Sequence, residues 1–167
     1  MNKLPVISLL LFVFLWIISP ISAQNLSLSD VLQIHQSSDS IRTKILLSHG
    51  FRLAESAMKE LNNAIIPTDY YTWTEKDSPL PPLQTMVVVR TAHPRTGKKM
   101  ETSYILFSRE DYMALQVTAW GLGYKYVKKQ ADKDSNVLIC ENESTWLRFF
   151  EDIYPENVVY GVTIEQK

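Results

Sequence analysis

The chain has three histidines, His35, His49 and His93, and one cysteine, Cys140. These are the first residues to test for nucleophile–base chemistry. Such chemistry needs a serine or cysteine whose proton a positioned imidazole can accept. No serine stands in a Gly-x-Ser-x-Gly elbow. His49 falls at an expected helix C-terminus, where an imidazolium suits the dipole, and His93 precedes Pro94 in a turn. Ordinary background placement accounts for all three, so no catalytic residue is assigned.

Metal and cofactor chemistry gives no stronger signal. There is no histidine pair at i, i+4, no second cysteine and no D-x-D-x-D-G loop. Asp132-Lys133-Asp134 carries a lysine inside the turn, a poor cradle for a cation. Glu110-Asp111 and Glu151-Asp152 are sequence neighbours, so their carboxyls point in different directions and read as solvated faces. Gly121-x-Gly123 lacks a third glycine and follows a helical pattern, the wrong context for a dinucleotide loop. No metal and no cofactor is expected.

Aromatic residues offer the better candidates. Tyr70, Tyr71 and Trp73 form one cluster, Trp120, Tyr124 and Tyr126 a second, and Trp146, Phe149, Phe150 and Tyr154 a third. On a period-two strand half of each cluster turns outward, where Tyr and Trp make rigid platforms for sugar rings or protein partners. Tyr71 and Trp73 share one face of a short polar strand. They form the candidate binding surface, provided that face looks away from the core. If it looks inward, the rings are core.

These candidates must be carried by a small set of elements. Leu28, Val31, Leu32 and Ile34 suggest a short first helix. Ser38 can cap a second, with Ile41, Ile45 and Leu46 on one face and Gly50 ending it. Ser108 with Asp111 resembles a capping box, Tyr112, Leu115, Ala119 and Leu122 share one face, and Gly123 stops that helix. Residues 86–90 and 102–107 flank the turn-rich 93–97, and residues 137–140 and 145–150 flank 141–144, which predicts two hairpins. Along residues 157–165, Val158, Tyr160, Val162 and Ile164 alternate with Asn157, Gly161, Thr163 and Glu165, a strand with one wet face. The expected fold is α+β: a mostly antiparallel sheet with helices on one face, read as two degenerate repeats over residues 28–107 and 108–167.

The first twenty-three residues address location. Lys3, the apolar run Leu4 to Ile18 and the small residues Ser22-Ala23 have the order of a secretory signal peptide, cleaved after Ala23. The run is shorter than the roughly 20 residues a spanning helix needs, so no membrane attachment is expected after cleavage. The single domain would then be residues 24–167, exported to a periplasm or the exterior. Losing Lys3 leaves 16 basic against 18 acidic residues, a net charge of −2. Nucleic acid wants a clustered basic face, and the short Arg95-Thr96-Gly97-Lys98-Lys99 cluster reads as a solvated hairpin tip. Cys140 cannot form an intramolecular disulfide and, inside Val137-Leu138-Ile139-Cys140, reads as a buried inert thiol. Asn25-x-Ser27 and Asn142-x-Ser144 match a glycosylation pattern. Ser78-Pro79-Leu80-Pro81-Pro82 reads as a stiff internal connection.

The segments Leu28-Ser29-Asp30-Val31-Leu32, Leu46-Leu47-Ser48-His49-Gly50-Phe51 and Tyr112 through Leu122-Gly123-Tyr124 carry a resemblance. The chain resembles a family of small uncharacterised exported proteins of Bacteroidetes-type bacteria. That implies the fold and the compartment and brings no activity with it. The function expected is a non-enzymatic binding or interaction module of the bacterial envelope, with an unknown protein or an envelope glycan as partner. The alternative is a small hydrolase acting on envelope material, its site assembled from residues distant in sequence.

Overall fold

The computed structural model describes residues 25–61, 64–73, 85–90 and 101–167. The segment 1–23, the proline-rich piece 78–82 and the turn 93–99 with His93 lie outside the described residues. The elements run α1 (Leu28–Gln36), α2 (Asp39–Ser48), β1 (Arg52–Leu61), β2 (Ala64–Trp73), β3 (Thr85–Arg90), β4 (Glu101–Leu106), α3 (Arg109–Gly121), β5 (Lys125–Ala131), β6 (Ser135–Glu141), β7 (Thr145–Ile153) and β8 (Val158–Gln166). The strands build one antiparallel sheet in the order β1-β2-β3-β4-β8-β7-β6-β5. Each half is a four-stranded meander, and the halves join through β4 and β8. The fold is α+β with a sheet-dominated core.

Helix ends follow from local chemistry. Ser27 and Asp30 form a complete capping box on α1, each side chain accepting the other's backbone N–H. At α3 the Ser108 hydroxyl accepts the Asp111 N–H at 3.2 Å. Ser38 stands at the N-cap of α2 but its hydroxyl makes no cap bond. That turn is held by Asp39, which takes the Arg42 guanidinium at 2.9 Å. The two Gly-ended helices close alike. Gly50 (φ 81°) and Gly123 (φ 83°) take the left-handed conformation. Phe51 N–H then reaches Leu46 O at 2.9 Å, and Tyr124 N–H reaches Ala119 O at 3.0 Å. These are Schellman closures, and each delivers a buried aromatic, Phe51 or Tyr124, to the core.

The helices lie on one face of the sheet. Leu28, Val31 and Ile34 of α1 are fully buried there with Val87, Leu147 and Phe149. The Phe51 ring meets Tyr104 edge-on at 6.4 Å, and Tyr112 meets Phe149 edge-on at 6.2 Å. Two helical faces differ from expectation. Ile41 is exposed, and α2 instead turns in Leu46 and Arg42. Arg42 Nη2 donates to Ser37 O at 3.2 Å, so its burial fastens the end of α1 to the start of α2. Leu122 also lies outside the core, because α3 ends at Gly121 and Leu122 is its C-cap.

The wet face expected for β8 is corrected at its centre. Tyr160, Val162 and Ile164 are core as read, but Thr163 is only 9 % exposed. The reason is sheet position. β8 is central, so its outward side chains stand between those of β4 and β7. The Thr163 hydroxyl bonds that of Ser103 at 3.0 Å, and the Phe150 ring lies over Gly161.

Candidate functional site

Tyr71 and Trp73, the expected binding surface, are on the helix-covered side of the sheet, Tyr71 buried and Trp73 half-buried. Tyr71 is 5 % exposed within the core, its hydroxyl 3.5 Å from the Thr43 hydroxyl on α2, and Trp73 packs against the same core. The pair does share a strand face. That face is the helix-covered one, because Tyr71 stands in register with Val87, which in turn stands opposite Tyr104. An outward aromatic platform at these residues is therefore corrected.

The face away from the helices presents a different constellation at the β5 end. Two cross-strand rows run side by side there. One is Lys128, Ile139, Arg148 and Thr163, and the other is Lys125, Glu141, Trp146 and Glu165. Between them lies a groove of about 360 Å³ lined by Val127, Lys128, Ile139, Trp146, Arg148 and Glu165. The β5 bulge helps to make it. The ladder skips from Tyr126 to Lys128, so the extra residue, Val127, joins the groove wall. Arg148 pairs with Glu165. Lys167 pairs with Glu141 at 2.6 Å and places its ammonium 4.6 Å from the centre of the Trp146 ring. The result is an apolar floor with a charged rim.

A second groove of about 360 Å³ lies on the helix side of the same sheet end, between α3 and β5 to β8. Met113 and Trp120 of α3 form one wall, both exposed. Lys129, Leu138 and Glu151 line it from the strands. Tyr112 is there too, its hydroxyl pushed up to about 12 chiefly by burial, so it stays protonated. The neighbouring carboxyls Glu151 and Asp152 are not merely solvated. Glu151 accepts from Asn136 on this side and Asp152 from the Ser135 hydroxyl on the other, which is the strand alternation at work.

Among the described residues one histidine does stand beside a hydroxyl. His35 Nδ1 lies 3.2 Å from Thr102 Oγ1. Both are inside the core, Thr102 at 0 % exposure, so no substrate reaches that oxygen. Burial, reinforced by the Arg42 charge, lowers His35 to about 4; the ring is neutral at neutral pH and serves the packing. His49 caps α2 and lies 3.9 Å from Asp30. Cys140 is fully buried, and that burial pushes its thiol up, away from the reactive thiolate. Among the described residues no three His, Cys, Asp or Glu side chains are grouped to hold a metal ion.

Compared with known proteins, the chain matches no family model, no curated protein and no solved structure.

Proposed function

We propose that this protein is an exported, non-enzymatic interaction module of the bacterial envelope, binding a protein or an envelope glycan. The observation that carries the reading is the groove on the helix-free face, where Trp146, Ile139 and Val127 are gathered under the charged rim of Lys128, Arg148 and Glu165. Apolar and aromatic area with few fixed polar groups is the usual make-up of a recognition surface. The buried His35–Thr102 pair gives the hydrolase alternative no accessible nucleophile.

Export and contact can be tested together. Protein recovered from the periplasm or medium should begin at Gln24 by mass spectrometry; recovery only from membranes, with residues 1–23 attached, would overturn the export reading. A photo-cross-linking residue in place of Lys128 should then give a discrete adduct in the native envelope, while one in place of exposed Lys44 on α2 should not. Equal yields, or none from either position, would remove the groove as the contact surface.

A further inference from the structure

The two outer strands of the sheet are guarded alike but charged differently. β1 skips a residue between Leu53 and Glu55, and β5 skips one between Tyr126 and Lys128. Each bulge falls four residues after the left-handed glycine that precedes it, Gly50 or Gly123. Bulges and charges on an outer strand both discourage uncontrolled pairing with another chain. On β1 both signs occur: Arg52, Glu55 and Lys59, with Lys59 on Glu55 at 3.8 Å. On β5 they are Lys125, Lys128 and Lys129 with no acid on the strand. Among the described residues none of these three lysines makes an ion pair.

All seven β5 residues are exposed, and among the described residues only one of the strand's two sides is hydrogen-bonded, to β6. A groove flanks this edge on each face of the sheet. Val127 and Lys128 line the one floored by Ile139, and Lys129 lines the one walled by Met113 and Trp120. Successive side chains of an added strand point to opposite faces, so a single extended segment paired with β5 would send alternate residues toward both grooves.

We propose that the free edge of β5 is the docking edge for an extended acidic segment of a partner protein, added as a ninth strand. The backbone would supply pairing, the two grooves would take apolar side chains, and the unpaired lysines would select carboxylates. The charge asymmetry between the two edges argues for this occupant. The shared bulge already protects β1 with charges of both signs, so three lysines of β5 outside any ion pair favour an anionic partner. A glycan stacked on Trp146 is less well served, because the Lys167 ammonium already occupies one face of that ring. The proposal rests on the interaction-module reading and narrows its partner to a peptide strand.

The test uses the exported protein with two fluorescein-labelled, end-capped octapeptides, Glu-Val-Ile-Glu-Glu-Val-Ile-Glu and the same sequence with Lys for Glu. The acidic peptide should bind at least ten-fold more tightly by fluorescence polarisation and weaken as salt rises. Combining Lys128→Glu with Lys129→Glu, both exposed, should cost at least ten-fold in affinity, whereas Lys59→Glu should change it less than two-fold. Hydrogen exchange should show new amide protection in β5. Equal affinity for both peptides, an unaffected double variant, or protection appearing in β1 instead would each overturn the proposal. Absence of binding by either peptide would also overturn it. The Lys128 cross-linking result then decides whether the broader reading stands: an adduct with a glycan or a folded protein keeps it, and no adduct removes both.

Discussion

Gly161 is the position where the sheet tolerates least. It sits in β8 opposite Ile105 of β4 and Phe150 of β7, at ordinary extended geometry, so its requirement is space rather than φ. A Cβ added there would lie 2.7 Å from the Tyr104 carbonyl oxygen and 2.7 Å from Phe150 Cε1, with Phe150 Cζ closer still. Ordinary contacts are about 3.4–4 Å, so the alanine methyl must displace both neighbours by roughly 0.7 Å or more. The ring can rotate away, uncovering the outer face of β8. The carbonyl belongs to central strand β4 and moves only with its backbone. Overpacking of this kind costs about 1–3 kcal/mol, and the backbone obstacle puts Gly161→Ala in the upper half of that range. At about 2–4 °C per kcal/mol for a domain near this size, the melting temperature should fall by about 5–10 °C. Thermal unfolding followed by circular dichroism measures it. Adding Phe150→Leu should recover part of the loss but not all, since the carbonyl contact survives; the double-mutant cycle isolates the ring's share. A Gly161→Ala protein melting within about 1 °C of the parent would refute the close-approach argument, and complete recovery in the double variant would refute the role of the Tyr104 carbonyl.

The remaining predictions concern the other glycines and the buried histidine. Gly121 is helical with no atom within 4 Å of an added Cβ, so Gly121→Ala should stabilise by about 0.5–1 kcal/mol. Gly123→Ala should cost about 1–2 kcal/mol, because φ is 83° and a Cβ is strained there; the same sign of change for both in a denaturant titration would contradict the helix-end account. His35 titrates near 4 in the folded chain against 6.5 ordinarily, so the unfolded chain takes up the proton first. Its contribution is therefore intact above about pH 6.5 and is lost as pH falls toward 4, by up to about 3 kcal/mol. His35→Gln should flatten the stability profile between pH 6.5 and 4.5, and an unchanged slope would show that the ring is not held neutral.

Fold class was legible because its punctuation is chemical. Gly50 and Gly123 end helices by a conformation that other residues adopt only under strain, and Ser108 caps through its own hydroxyl, so local residues suffice to place them. The orientation of a strand is a different problem. Alternation says that Tyr71 and Trp73 share a face, but which face is covered depends on register with β3 and on where the helices land. Arg42 shows the same limit on a helix. It takes a core position ahead of Ile41 because its donors meet the Ser37 carbonyl and Asp39, a tertiary arrangement with no apolar period to announce it. The outer strands were the least legible. Lys125 to Ala131 is exposed throughout, so it carries no hydrophobic pattern, and the groove it completes draws on Val127, Ile139, Trp146 and Glu165, each from a different strand.

That illegibility bears on where the proposed recognition would sit. The buried positions of β4, β7 and β8 are fixed by packing, as the near-contact at Gly161 illustrates, and leave little room for a residue chosen by a partner. The two outer strands carry no such constraint on their side chains, yet both retain a bulge at the same distance from the preceding glycine. What differs between them is charge and what lies on either face. β1 pairs Lys59 with Glu55. β5 leaves its lysines unpaired beside two apolar grooves. Packing requires neither the missing acids nor the exposed Met113 and Trp120, and an exposed ring beside an open edge gains its stabilisation only when another surface covers it. The β5 edge is thus the place where stability alone does not explain the residues present, which is why the proposed partner strand is placed there.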